Sequence, residues 1–172
     1  MILPLIRSMA VTAFLVTTLP VIAVAQEASA QAEASLSVQG RPTVYNHVVA
    51  LRGKSFNDPR IIVIATVKPL TAKQIEQVVK ANAEETQTLE GNASYIKASF
   101  KPDGTLRYLV GDGGGAVFSK KNEADQTILK GKATITGDRV QGEVILSEPG
   151  DYAKEAKLIF DLAFLTEAPE AQ

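Results

Sequence analysis

His47 is the only histidine in the chain and cysteine is absent, so the catalytic vocabulary is short. Any Ser-His-Asp arrangement must use His47, and any thiol chemistry is ruled out. A zinc site of ordinary type lacks ligands as well, because one histidine and no H-E-x-x-H spacing leave only carboxylates. His47 follows Tyr45 and Asn46 on a stretch that reads as a strand, where a lone histidine is more often hydrogen-bonded in place than catalytic. A carboxylate pair for hydrolysis cannot be chosen, since nineteen acidic residues give many pairs and no apolar pocket marks one of them.

Gly111-Asp112-Gly113-Gly114-Gly115 is the most unusual local composition. Successive N–H groups in a glycine run form a concave anion nest, and Asp112 adds an acceptor. The spacing matches neither G-x-x-x-x-G-K-[ST] nor G-x-G-x-x-G before a helix, and a strand follows it. The phosphate-loop reading therefore fails on context, which leaves a bulge or a ligand-contacting loop. Tyr45, His47, Asp112, Gly113 and Gly114 are the candidate ligand-binding residues. No catalytic residue, metal or cofactor is assigned.

The elements that must position these residues are mostly strands. Ile61 to Val67 is an unbroken apolar run bounded by Asn57-Asp58-Pro59 and Lys68-Pro69, too short for a lone helix and too apolar for a strand with one wet face. It reads as a strand covered on both sides. Immediately after it, residues 71–82 carry Ile75, Val78 and Val79 on a single helical face. Thr71 followed three residues later by Gln74 has the form of a capping box.

Turn chemistry divides most of the rest into hairpins. Leu36 to Val38 begins a strand before the Gly40 turn, Thr43 to Leu51 reads as one strand, and Gly53 to Pro59 as a loop. Ser94 to Phe100 and Thr105 to Val110 pair through Lys101-Pro102-Asp103-Gly104, with Leu106, Tyr108 and Val110 on one side. Thr127 to Thr136 and Arg139 to Ser147 pair through Gly137-Asp138. Lys120-Lys121 beside Asn122-Glu123 reads as a solvated turn. Ala156 to Leu165 alternates most cleanly, with Ala156, Leu158, Phe160, Leu162 and Phe164 inward.

These features predict a mainly β fold: an antiparallel meander forming a barrel-like or two-sheet sandwich domain, with the short amphipathic helix of residues 71–82 covering one face or end. Meander connections suit closure and favour the barrel. A single strand-helix-strand crossover is the α+β alternative.

Residues 1–25 have the form of a signal peptide, with Arg7 before a mostly apolar stretch and Ala23-Val24-Ala25 as a cleavage site. Residues 26–35 then form a flexible leader, 36–166 a single β domain and 167–172 a polar tail. The chain of 172 residues has a formal net charge of −1 with neither sign in a block, which gives no footprint for nucleic acid. After cleavage no stable membrane span is expected, and a secreted or periplasmic location follows.

The stretch Ala34-Ser35-Leu36-Ser37-Val38-Gln39-Gly40, the His-containing strand Val44 to Leu51 and the strand end at Lys68-Pro69-Leu70-Thr71 together resemble exported bacterial β-domains to which no activity is assigned. That resemblance implies an exported β domain and assigns no residue to a site. The leading functional expectation is an exported, non-catalytic module that binds a partner protein or small ligand. The alternatives are a barrel that carries a small apolar ligand and a hydrolase using His47 or a carboxylate pair.

Overall fold

The structure, a computed structural model, describes residues 31–80, 89, 94–113, 116–121 and 126–165. The expected signal peptide, most of the expected leader, the expected end of the helix beyond residue 80, the acidic connection after it apart from Leu89, Gly114, Gly115 and the expected polar tail lie outside the described residues. Among the described residues ten strands and one helix follow in order: β1 Gln31–Val38, β2 Arg41–Tyr45, β3 His47–Ser55, β4 Asp58–Thr66, α1 Ala72–Lys80, β5 Tyr95–Phe100, β6 Leu106–Gly113, β7 Ala116–Lys120, β8 Ile128–Thr136, β9 Arg139–Glu148 and β10 Lys154–Ala163.

They form two five-stranded antiparallel sheets, ordered β2-β1-β10-β9-β8 and β3-β4-β5-β6-β7. The barrel expectation is thus corrected to a sandwich. Sequence order within hairpins is the same in both architectures, so the meander pattern could not separate them. The strands of the two sheets cross steeply. β6 starts where Leu106 meets Gly131 of β8 and ends where Gly113 meets Leu36 of β1, so it spans nearly the whole width of the first sheet, as in orthogonal sandwiches.

The apolar run in β4 explains the layering. Ile61, Val63 and Ala65 join Phe100, Leu158 and Phe160 between the sheets, while Ile62 and Ile64 point the other way and pack with Leu70, Ile75 and Val78. Both faces of the strand are covered, as its composition requires. The helix is therefore a lid on the outer face of the second sheet and not a stopper for a barrel. Its start is fixed as predicted: Thr71 N–H donates to Gln74 Oε1 at 2.9 Å, and Gln74 N–H donates to Thr71 Oγ1 at 3.2 Å. Gly53 lets it sit close, since a Cβ there would come 3.1 Å from the Val78 carbonyl oxygen and 2.7 Å from Ile62 Cδ1.

Several strand limits differ from the sequence reading. β1 begins at Gln31, inside the expected leader, because Ala34 and Leu36 bury against the other sheet while the strand pairs with β10 along its length. Thr43 to Leu51 is two strands. The chain leaves the first sheet after Tyr45 and enters the second at His47, and the alternation runs through Asn46 without marking the crossing. Gly53 to Pro59 is not a loop but the end of the β3–β4 hairpin, with Lys54 opposite Pro59. Pro59 is tolerated because β5 pairs with β4 only from Ile61 onward.

Leu106 also changes side. Phe100 pairs with Leu106 although Ser99 pairs with Tyr108, so β6 carries one extra residue there. This bulge turns Leu106 into the inter-sheet core with Leu109, while Tyr108 and Val110 face α1. Lys120 is likewise no solvated turn. It lies in β7, and Glu148 sits between it and Lys154 at 3.3 and 3.4 Å, which links the two sheets at one end.

Two sides of the sandwich are laced shut. Leu165 N–H donates to the Ala50 carbonyl at 2.8 Å, and Ala133 N–H donates to the Gly104 carbonyl at 2.9 Å. These contacts shield parts of the β3 and β8 edges, which would otherwise invite pairing with another chain.

Candidate functional site

The pairing register sets His47, Thr66, Tyr95, Asp112 and Val117 in one row across the second sheet. Side chains of directly paired residues share a face, so His47 and Asp112 both point to the side that α1 covers. They do not meet. Three strand spacings separate them, about 14 Å, and His47 lies exposed on the edge strand. Between them Thr66 donates its hydroxyl to the Lys68 carbonyl at 2.6 Å. Tyr95 is fully buried, and its hydroxyl lies against the Leu89 backbone without a hydrogen bond of good geometry among the described residues. Burial, with a smaller contribution from the Asp112 charge, raises the Tyr95 pKa above the usual tyrosine value, and the nearby Leu89 backbone offsets part of that rise.

Tyr45 belongs to a different surface. It projects from β2 into the inter-sheet core, where its hydroxyl is 2.9 Å from Ser94 Oγ, and Ser94 in turn donates to the Asp112 carbonyl at 2.9 Å. Because Ser94 spends its proton on that carbonyl, Tyr45 is the donor to Ser94. Burial raises the Tyr45 pKa, the Ser94 hydrogen bond lowers it by less, and the Asp112 charge adds to the rise. The relay ties β2 to β5 and β6. It leaves Tyr45 with no free proton to donate to an incoming ligand.

The glycine run has a packing role at its described positions. A Cβ on Gly111 would run into the Phe118 ring, and one on Gly113 would come 2.5 Å from Leu36 Cδ2. Both glycines sit in β6, facing the other sheet: Gly113 lets Leu36 of that sheet come close, and Gly111 makes room for the ring of its paired neighbour Phe118 on β7. Gly114 lies outside the described residues. Thus the structure brings Tyr45 near the backbone of Asp112, leaves His47 apart and buries Gly113. Among the described residues no group of three or more acidic or histidine side chains gathers where a metal ion would be held.

A different place offers room for a ligand. A trough of about 660 Å³ lies on the first sheet, lined by residues of β1, β2, β9 and β10. The register explains its shape. Pro42, Ser37, Glu155 and Ser147 form one outward row, and Val44, Ser35, Lys157 and Ile145 form the next. Three serines make a low floor between taller neighbours. Ile145 is 41 % exposed at this floor and Val44 is 65 % exposed beside it. Sequence reasoning missed the trough, although Ser35-x-Ser37 and Glu155-x-Lys157 on alternating strands carry a signal: small and charged side chains repeat at period two on the wet face. What no local pattern reveals is that β1 and β10 are neighbours.

Compared with protein-family models, curated proteins and solved structures, the chain finds no match.

Proposed function

We propose that the chain is an exported, non-catalytic binding module whose partner, a protein or small ligand, seats in the trough on the first sheet. The observation that carries this reading is the exposed Ile145 beside small serines, with Glu155 and Lys157 standing among them on β10. An exposed apolar side chain next to small polar and charged groups suits recognition of another molecule. A surface site is favoured over an interior one because Phe100, Leu158 and Phe160 fill the space between the sheets; the two phenylalanine rings lie 5.9 Å apart, centre to centre. A binding role is favoured over a hydrolytic one because His47 and Asp112 stand on separate strands with Thr66 and Tyr95 between them.

The test is affinity capture from the envelope fraction of the host with the mature domain and with its Ile145→Glu variant. A partner retained by the first and lost by the second is the expected outcome. Equal capture by both would remove the trough from consideration.

A further inference from the structure

The two sheets end in four edge strands, β2, β8, β3 and β7, and three of them carry devices that hinder an added strand. β3 takes Leu165 on its outer side and has Arg52 and Lys54 exposed along it. β8 takes the Gly104 carbonyl and is flanked by exposed Lys130 and Lys132. β2 follows a two-residue turn at Gln39-Gly40 with φ of 51° and 74°, which makes Val38 and Arg41 a bonded pair. The next residue, Pro42, therefore faces the edge without an N–H to offer. β7 has no such protection. It holds no proline, its register with β6 has no bulge, and its one lysine, Lys120, is engaged with Glu148 at 3.3 Å.

Which groups β7 turns outward follows from the opposite side of the sheet. Ala50 gives its carbonyl to Leu165 beyond β3, and backbone groups alternate sides along a strand. Carried through the paired registers, this makes Leu109, Gly111 and Gly113 the β6 residues that bond β7, opposite Lys120, Phe118 and Ala116. Val117 and Ser119 thus point N–H and C=O away from the sheet. Val117 is 55 % exposed and Ser119 is exposed as well. Among the described residues neither has a backbone partner on that outer side.

We propose that β7 is the seam of a symmetric dimer, in which two copies of this chain join their second sheets into one of ten strands. The strand itself selects a second copy. An antiparallel two-fold through Phe118 sets Val117 opposite the partner's Ser119 and Ser119 opposite the partner's Val117, so every outward N–H of both residues meets an outward carbonyl. At the centre Phe118 faces its own copy in a non-bonded pair, where side chains stand closest and aromatic pairs are favourable. That ring already lines the layer between the sheets, so the seam extends an apolar layer that exists. Charge allows the same register, because Lys120 falls opposite the partner's Ala116 and not opposite a second lysine. The contact is isologous and closes at two copies. It does not use the trough, which each copy keeps on its first sheet. Five residues a side bury less than a standard interface, which makes the dimer a weak one.

Sedimentation velocity of the mature chain from about 10 µM to about 1 mM should show monomer giving way to dimer and nothing larger. Ser119→Pro deletes an N–H that the fold does not use and, by symmetry, two of the four seam bonds. It should keep the wild-type circular dichroism and associate at least about tenfold more weakly. The chain has no cysteine, so introduced thiols report the register. A mixture of Val117→Cys and Ser119→Cys should oxidise to a covalent dimer, because directly opposed residues stand within disulfide reach. Neither variant alone should do so, its two thiols lying on a diagonal of about 8 Å. A wild type that stays monomeric at the highest concentration, a folded Ser119→Pro that associates like it, or a single cysteine variant that crosslinks as readily as the mixture overturns the proposal.

Discussion

The guanidinium carbon of Arg52 lies 4.0 Å from the centroid of the Phe164 ring, and the same guanidinium donates to the Gly137 carbonyl at 2.6 Å. One exposed side chain on β3 therefore clamps the chain segment after β10 and the β8–β9 turn. Arg52→Ala should destabilise the domain by about 1–2 kcal/mol, the sum of a cation–π contact and a charge-assisted hydrogen bond, both part-solvated. Arg52→Lys should recover less than half, because an ammonium lacks the planar fork. Urea unfolding of the three proteins measures this directly.

Gly104 and Gly137 separate two uses of a left-handed glycine. Both have positive φ, of 84° and 60°. A Cβ on Gly104 would strike the Ala133 carbonyl oxygen, whereas nothing lies within 4 Å of one on Gly137. Gly104→Ala should cost on the order of 3 kcal/mol, since strain and the broken docking onto β8 add together. Gly137→Asn should stay within about 0.5 kcal/mol of wild type. A thermal melt distinguishes them, and equal losses would contradict the role given to the β5–β6 turn.

The two buried tyrosines should respond unequally to loss of the hydroxyl. Tyr45→Phe breaks the relay through Ser94 to the Asp112 carbonyl and should cost about 1 kcal/mol. Tyr95→Phe removes a hydroxyl whose contact is the Leu89 backbone, without good hydrogen-bond geometry, and should cost less than the Tyr45 change. Paired urea titrations at neutral pH give both numbers.

Alkali should weaken the fold through the same residues. Both tyrosine pKa values are raised above the ordinary 10.0, so the unfolded chain releases these protons first. Above pH 10 the folded state holds more protons than the unfolded one, and stability falls as pH rises. Their contribution is fully present below pH 10 and is lost as pH rises from there through the higher folded values. Tyr45→Phe should flatten the alkaline limb of the stability curve, which unfolding titrations across that range would show.

Thr71→Ala tests the lid. It removes the hydroxyl that accepts from Gln74 N–H and should cost about 1 kcal/mol. Hydrogen exchange should rise first in α1, while β4 keeps the protection given by its inter-sheet face.

How far the fold could be read from sequence depended on whether a signal was local. The capping box at Thr71 and Gln74 and the two-sided burial of Ile61 to Ala65 are short-range and were legible. The clean alternation of Ala156 to Phe164 was legible for the same reason, and all five inward residues lie in the core. The bulge opposite Phe100 was not, since it depends on which residue of β5 faces Leu106. The sheet change at Asn46 was invisible because alternation continues through it. At the glycine run, composition was conspicuous but its meaning lay with Phe118 and Leu36, one strand and one sheet away. The trough was least legible of all, being assembled from four strands of which β1 and β10 stand at opposite ends of the sequence.

That last pairing also sets an order of assembly. β1 joins β10 from Gln31 opposite Asp161 to Val38 opposite Lys154, so the first sheet cannot be completed until the final strand is available. β3 to β7 are neighbours in both sequence and space, and three of their four connections are short, which favours early pairing. A nascent chain that has not yet delivered β10 therefore holds one finished sheet, and its β1–β2 hairpin presents an open flank with no strand to bind. Synthesis of the last stretch both completes the domain and hides that flank.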